Sequence, residues 1–350
     1  MEDPRSFHHT GGMSSCPLLF LHGVRASRLA IRTESGPQII WQLADEENPL
    51  GRLMALRHEG GEFLPVDPAR PVFPLDLEPY VHGPLLEWAA SRGVCLAPVW
   101  DWRLAPSHVV AGVAASLPAG DVDVVVHSMG LHMLAELVQR GFLPLERVRR
   151  LALVTPAFGG ALDILHVLLS GCDRESDGGD ATGRSYGSVV RGLPALYRLL
   201  PVPGHGLLQN QEGLELDPLD PLRWPTDSCG PDDRHCPSLD QVLASAREDR
   251  QTLQEFAQRL PSLGSRLLIC RGRGVPTPVR CRMVGPGMSC SSSQIEMQLE
   301  GDGRLALSAQ LPLLGSLPQQ VFGDERDPVA HGEILRRADV LAQLARFLDT

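Results

Sequence analysis

The stretch Val122-Asp123-Val124-Val125-Val126-His127-Ser128-Met129-Gly130-Leu131-His132 decides the fold. Its first residues form a short, β-branched, mostly apolar run, which predicts a buried strand. The Ser128-Met129-Gly130 step and the apolar spacing over 131–138 predict a tight turn into a helix. A serine between a strand and a helix is the setting of a nucleophile elbow. That turn needs a small residue two places after the serine, and Gly130 supplies it. The hydroxyl is then held above the sheet at a helix N-terminus. Val126 stands where the usual pattern has its first glycine. The same residues also describe an ordinary serine helix cap after a buried strand.

Outward from this stretch, apolar runs recur between helical patterns. They are Leu18-Leu19-Phe20-Leu21, Val94-Cys95-Leu96-Ala97-Pro98-Val99, Leu151-Ala152-Leu153-Val154, Leu267-Leu268-Ile269 and Gln320-Val321-Phe322. Helical spacing is seen over 84–90, 131–138 and 334–348. Continuous apolar strands alternating with helices predict an α/β protein, a mostly parallel sheet covered on both faces. Residues 28–42 read as a hairpin turning near Glu34-Ser35-Gly36-Pro37. Residues 160–236 are rich in Gly, Pro and Asp and interrupt the strand rhythm. A structureless loop of that length does not suit a compact domain, so this segment is expected to be an inserted cap, or lid. The expected organisation is therefore core 1–159, cap 160–236 and core 237–350. Within the cap, Val189-Val190, Leu193, Leu196-Tyr197 and Leu199-Leu200 form an apolar cluster that is either the cap's own core or a cover for a long acyl chain. Gly178-Gly179 and Gly204 and Gly206 around His205 are candidate hinges.

Composition narrows the function classes. The chain has 350 residues, 43% hydrophobic and 21% charged, the balance of a globular enzyme. Its 32 basic residues, all arginine, are outnumbered by 42 acidic ones, giving a net charge of −10. Without a basic tract, nucleic acid and anionic membrane surfaces are not expected partners. No run approaches the roughly 18 apolar residues of a membrane span. The first residues lack a positive n-region and an apolar h-region, so a cytoplasmic protein is expected. The eight cysteines are then expected to be free thiols. Cys229, His235 and Cys236 are three local ligands where zinc needs four, so no metal is expected. A Cys229–Cys236 disulfide would need an oxidising compartment.

A serine that attacks an acyl group needs an oxyanion hole. One donor is expected from the Met129 amide, the residue after the serine. The second is expected from the loop after the first central strand. There Leu21-His22-Gly23-Val24 offers the Val24 amide.

These residues belong to an ordered series of motifs. Leu21-His22-Gly23-Val24-Arg25-Ala26-Ser27-Arg28-Leu29 is similar to P-G-x-x-G-S-x-L, and Ile40-Trp41 to a tryptophan ending the next hairpin. Trp100-Asp101-Trp102-Arg103-Leu104 is similar to Y-D-W-R, and Val126-His127-Ser128-Met129-Gly130 to A-H-S-M-G. Thr155-Pro156-Ala157-Phe158-Gly159-Gly160 is similar to T-P-x-x-G-[ST], and residues 193–201 to P-S-x-Y-x-L-L-P. Gly274-Val275-Pro276-Thr277 is similar to G-x-P-T, and Gly301-Asp302-Gly303 to G-D-G-T-V, with Arg304-Leu305 in place of Thr-Val. In this order the chain resembles the lecithin:cholesterol acyltransferase family of the α/β-hydrolases.

That resemblance implies an α/β-hydrolase fold, no cofactor and a Ser-Asp-His triad. Asp302 matches the family's acid and His331 its histidine. His331 is also the only histidine after Asp302 and follows the last apolar run. Asp324 and Asp327 remain rival carboxylates, being closer to His331 in sequence. In the triad, His331 would take the Ser128 proton, Asp302 would hold the imidazole, and the Val24 and Met129 amides would bind the oxyanion. Asp101 and Arg103 read as an ion pair shaping the site, and His127 as packing beneath the elbow. The expected activity is a serine acyl hydrolase, of lipase or phospholipase type, or an O-acyltransferase on lipid-like esters. Transient contact with lipid surfaces would accompany it. A general carboxylesterase or peptidase of this fold, and a binding module that keeps the fold without the chemistry, are the alternatives.

Overall fold

The computed structural model describes residues 16–41, 54, 56–59, 62–65, 67–170, 190–224, 239–285, 287–314 and 316–350. Cys229, Cys236, Gly178, Gly179 and Val189 lie outside them. In chain order the strands begin with β1 (Leu18–Leu21), β2 (Ser27–Thr33), β3 (Gly36–Trp41), β4 (Leu56–Glu59), β5 (Glu62–Pro65), β6 (Val72–Leu77) and β7 (Cys95–Leu96). They continue with β8 (Val122–His127), β9 (Val148–Val154), β10 (Leu208–Gln209), β11 (Leu267–Gly272), β12 (Thr277–Met283), β13 (Ser293–Gln298) and β14 (Gln319–Phe322). The helices used below are α1 (Pro79–Arg92), α2 (Pro106–Ala114), α3 (Gly130–Gln139), α4 (Leu162–Ser170), α5 (Leu239–Arg259) and α6 (Ala338–Asp349).

The six apolar runs of the sequence are the six strands of the central sheet. Its order is β14-β11-β9-β8-β1-β7, and every pairing in it is parallel. Side chains alternate across each strand, so the runs divide between two cores. Leu19, Leu21, Val124, Val126, Leu151, Leu153 and Ile269 face one side, packed with Leu131 and Leu134 of α3, Val110 of α2 and Phe256 of α5. Leu18, Phe20, Val125, Ala152, Val154 and Cys270 face the other, packed with Leu85 of α1 and Leu344 of α6. Each fully buried Val or Leu contributes roughly 1.5–3 kcal/mol of transfer free energy, an upper bound set by the unfolded reference. This two-sided burial is why the strands read as unbroken apolar runs rather than alternating ones.

Strand order reverses around β1, which has β7 on one side and β8 on the other. Such a reversal opens a crevice at the carboxyl ends of the strands. The register pairs Leu21 with Val126. His22-Gly23 and His127-Ser128 therefore leave the sheet side by side.

The expected hairpin is β2 and β3, turning at Glu34-Ser35, and β6 adds a third antiparallel strand to it. Between β9 and α5 no described residue joins the central sheet. This segment holds α4, a single helical turn at Pro194–Tyr197, and β10. β10 pairs with β12, and β12 with β13, in a separate three-stranded sheet. The Arg198 guanidinium ties the helical turn to α5, pairing with buried Asp249 and donating to Ser245 Oγ at 2.9 Å. Among the described residues, no helix is long and apolar enough to cross a membrane.

Candidate active site

Ser128 follows directly on β8 with φ of +55°, a left-handed conformation that a non-glycine residue adopts at a cost. Two glycines make the turn fit. A Cβ at residue 130 would lie 2.3 Å from the Leu21 carbonyl oxygen, so the start of α3 is pressed against the end of β1. A Cβ at residue 23 would lie 2.8 Å from Ser128 Cβ and 3.2 Å from Ser128 Oγ. Val126, in contrast, points into the core shared with α3, which explains why a glycine is not required there.

The structure brings Ser128, His331 and Asp302 together. His331 Nε2 is 2.9 Å from Ser128 Oγ, and His331 Nδ1 is 2.8 Å from Asp302 Oδ2. The carboxylate can only accept, so Nδ1 carries the proton and Nε2 is left to accept from the hydroxyl. Asp302 Oδ1 accepts the Arg304 and Leu305 amides at 3.0 and 2.7 Å. Asp302 is bound through backbone amides, so the identity of the side chains at 304 and 305 leaves this bonding intact. The Arg304 side chain turns away and donates to Asp163 Oδ2 at 2.8 Å.

The rival carboxylates sit elsewhere. Asp324 caps the amides of Arg326 and Asp327 at 2.7 and 3.0 Å. Asp327 is held by both Arg337 Nη atoms, at 2.7 and 2.6 Å.

The Val24 and Met129 amides flank Ser128 along the chain and across Gly23. Among the described residues, neither has a hydrogen-bond acceptor. Met129 is only 1% exposed. A buried N–H without a protein partner is uncommon, and a developing oxyanion would supply one.

Sequence reasoning missed the supports of this arrangement. The Gln310 side chain, fully buried, accepts from Gly272 N at 2.9 Å and donates to the Gly272 and Leu305 carbonyls at 3.0 and 3.1 Å, bracing the acid loop on β11. Thr277 Oγ1 accepts the Gly303 amide at 2.8 Å, which gives the Gly-x-Pro-Thr match a structural role. Gln310 had no pattern to reveal it, standing at the end of a single 3-10 turn, Leu307–Gln310.

His127 does lie beneath the elbow, and it also reaches His331. Its Nε2 donates to the His331 carbonyl at 3.1 Å, and the two rings are 5.0 Å apart. Burial, and the neighbouring His331 and His82, hold the His127 pKa well below its ordinary range. His22 stacks on Trp100 with ring centroids 3.4 Å apart, and burial lowers its pKa to about 3. Burial likewise lowers His82 to about 4. The histidines behind His331 are therefore neutral at pH 7 and add no competing charge. Asp101 and Arg103 form a buried bidentate pair, with Arg103 Nη1 also donating to the Met54 carbonyl at 3.1 Å. Neither touches the three polar side chains of the site.

Ser128 is only 6% exposed. Met129 beside it belongs to one apolar cluster with Trp41, Trp102, Leu193, Leu196 and Leu200. Cavities of about 220 and 490 Å³ lie either side of His205, and neither is lined by Ser128, Asp302 or His331. The expected hinge at Gly204 and Gly206 is clamped, because the Glu215 carboxylate accepts both amides, at 2.6 and 2.5 Å.

No protein-family model and no curated protein matches this chain. Solved structures do resemble it. A chain of the Tle4–Tli4 complex is 12% identical over 95% of this chain and 98% of its own, with a TM-score of 0.56. That likeness is one of fold. The 2-hydroxy-6-oxo-6-phenylhexa-2,4-dienoate hydrolase of Rhodococcus sp. strain RHA1 is 12% identical over 97% and 92% of the two chains. Its TM-score of 0.36 is too low to support an argument. The parallel sheet reversing at β1, the serine turn after β8 and the later loops carrying Asp302 and His331 make this chain an example of the α/β-hydrolase fold.

Proposed function

We propose that the chain is a serine acyl-ester hydrolase or O-acyltransferase acting on lipid-like esters. The observation that carries this reading is the relay from Ser128 Oγ to His331 Nε2 at 2.9 Å and from His331 Nδ1 to Asp302 Oδ2 at 2.8 Å. The preference for a lipid-like ester rests on the apolar cluster around Met129 and on the ordered motifs that resemble the lecithin:cholesterol acyltransferase family.

In this reading His331 Nε2 takes the hydroxyl proton as Ser128 Oγ bonds to the ester carbonyl carbon. Asp302 stabilises the imidazolium, and the Val24 and Met129 amides stabilise the oxyanion. The leaving alcohol departs with the proton from Nε2, and the acyl group stays on Ser128. Water or a second alcohol then gives its proton to His331, attacks the acyl carbon and frees Ser128.

Labelling with a fluorophosphonate probe, followed by peptide mapping, tests the nucleophile. Modification at Ser128 is expected, and an unreactive Ser128 in the folded protein would favour a binding module. A panel of phospholipid and p-nitrophenyl esters, with and without an acceptor alcohol, separates hydrolysis from transfer. Activity confined to short esters would favour a general carboxylesterase.

A further inference from the structure

We propose that Arg304 and Asp163 form a positioning pair that couples α4 to the acid of the site. The proposal rests on the reading of Ser128, His331 and Asp302 as a catalytic triad. Residues 300–310 reach Asp302 by an irregular path, not on a strand. From below, Thr277 and Gln310 hold this loop through Gly303 N and the Leu305 carbonyl. From the side, the Arg304 guanidinium reaches Asp163 on α4 at 2.8 Å. Arg304 therefore acts in two places. Its amide binds Asp302 Oδ1 at 3.0 Å, and its side chain fixes where that amide sits relative to α4.

The far end of the pair is fixed as well. The Asp163 side chain is 9% exposed, and its Oδ1 accepts the Ile164 amide at 2.8 Å. Exposed ion pairs contribute little, but a buried carboxylate that loses its partner is left with an uncompensated charge. Leu162 and Leu165 of α4 belong to the same apolar cluster as Met129, Leu196 and Leu200. Any displacement of α4 would thus be transmitted by Arg304 to the amide holding Asp302, and through Asp302 to His331. In this chain the departure from Thr-Val to Arg304-Leu305 supplies that connection.

The test follows the His331 imidazole by ¹⁵N NMR titration in Arg304→Gln and Asp163→Asn, with His331→Gln for assignment. If the pair positions Asp302, both variants loosen the carboxylate's hold, and both move the His331 midpoint to lower pH. A through-space effect alone gives opposite signs: losing Arg304's positive charge raises the midpoint, and losing Asp163's negative charge lowers it. Opposite shifts, or no shift, would overturn the proposal. On p-nitrophenyl butyrate, each variant is expected to lower kcat, by less than the roughly 10⁴-fold that follows loss of the acid itself, with KM little changed. Should either single variant fail to fold, the double variant D163N/R304Q removes both charges and must still show the lowered midpoint. The titration needs no turnover. An inactive wild-type protein with both shifts present would therefore sink the triad reading and leave the coupling standing.

Discussion

His331 and Asp302 are joined twice. The imidazole Nδ1 meets Asp302 Oδ2 at 2.8 Å, and the His331 amide donates to the Asp302 carbonyl, also at 2.8 Å. The second bond does not involve the side chain. The backbone arrangement therefore survives a change of carboxylate to amide, and the effect of that change on chemistry can be read cleanly.

Asp302→Asn is expected to lower kcat on a p-nitrophenyl ester by about 10³–10⁴, because the amide supports the wrong imidazole tautomer. Ser128→Ala should remove turnover apart from the ~10³-fold over water that an oxyanion hole and binding retain. Asp327→Asn only breaks a pairing with Arg337 and should leave kcat near wild type. A larger loss for Asp327→Asn than for Asp302→Asn would reverse the choice of acid.

Two glycine substitutions should move stability in opposite directions. Gly130→Ala drives a methyl group against the Leu21 carbonyl, and overpacking of this kind costs about 1–3 kcal/mol. Gly112, inside α2, has nothing within 4 Å of a new Cβ. Gly112→Ala should stabilise by about 0.5–1 kcal/mol through helix propensity. Thermal melts of both variants check the pair.

Buried histidines set a limit on the acid side. Burial lowers His22 and His132 from 6.5 to about 3, and His82 to about 4. Below pH 6.5 the unfolded chain takes up protons that the folded chain refuses, so their contribution is full above 6.5 and falls as pH drops toward about 3. The Tm should decline across that window, and His132→Leu should flatten the slope. An unchanged slope in His132→Leu would assign the acid sensitivity to other groups.

Leu196 and Leu200 are 2% and 0% exposed in the cluster that includes Met129. If part of this cluster faces the acyl chain, Leu196→Gln and Leu200→Gln should depress long-chain esters more than acetate esters. Equal losses on both, following a fall in Tm, would mean that the cluster only holds its own segment together.

The central sheet was legible because its inner strands β1, β8, β9 and β11 are covered on both faces, and burial on two sides removes most polar residues from the sequence. Elements with one wet face were harder to see. Helix α5 carries its apolar contacts at Val242, Leu243, Ala246, Leu253 and Phe256, among fifteen or so polar or small residues that hide the spacing. β6 contains Pro74, and the β12–β13 hairpin is rich in arginine, glutamine and glutamate, so neither reads as a strand. At the site, Ser128, His331 and Asp302 could be found from motif and order. Gln310 and the Asp163 end of the Arg304 pair could not, since each acts on a residue far from it along the chain.

The register that sets Leu21 opposite Val126 has a consequence for how the protein ages and fails. The serine turn and the loop carrying Val24 hang from neighbouring strands in the middle of the sheet, among the most deeply covered parts of the molecule. No local opening at the periphery can separate them, and nothing short of parting the two strands will. On heating, the serine turn and the Val24 loop should therefore stay together until the central sheet itself melts. Peripheral damage, such as a proteolytic nick in a surface loop, should leave the serine turn and the Val24 loop side by side.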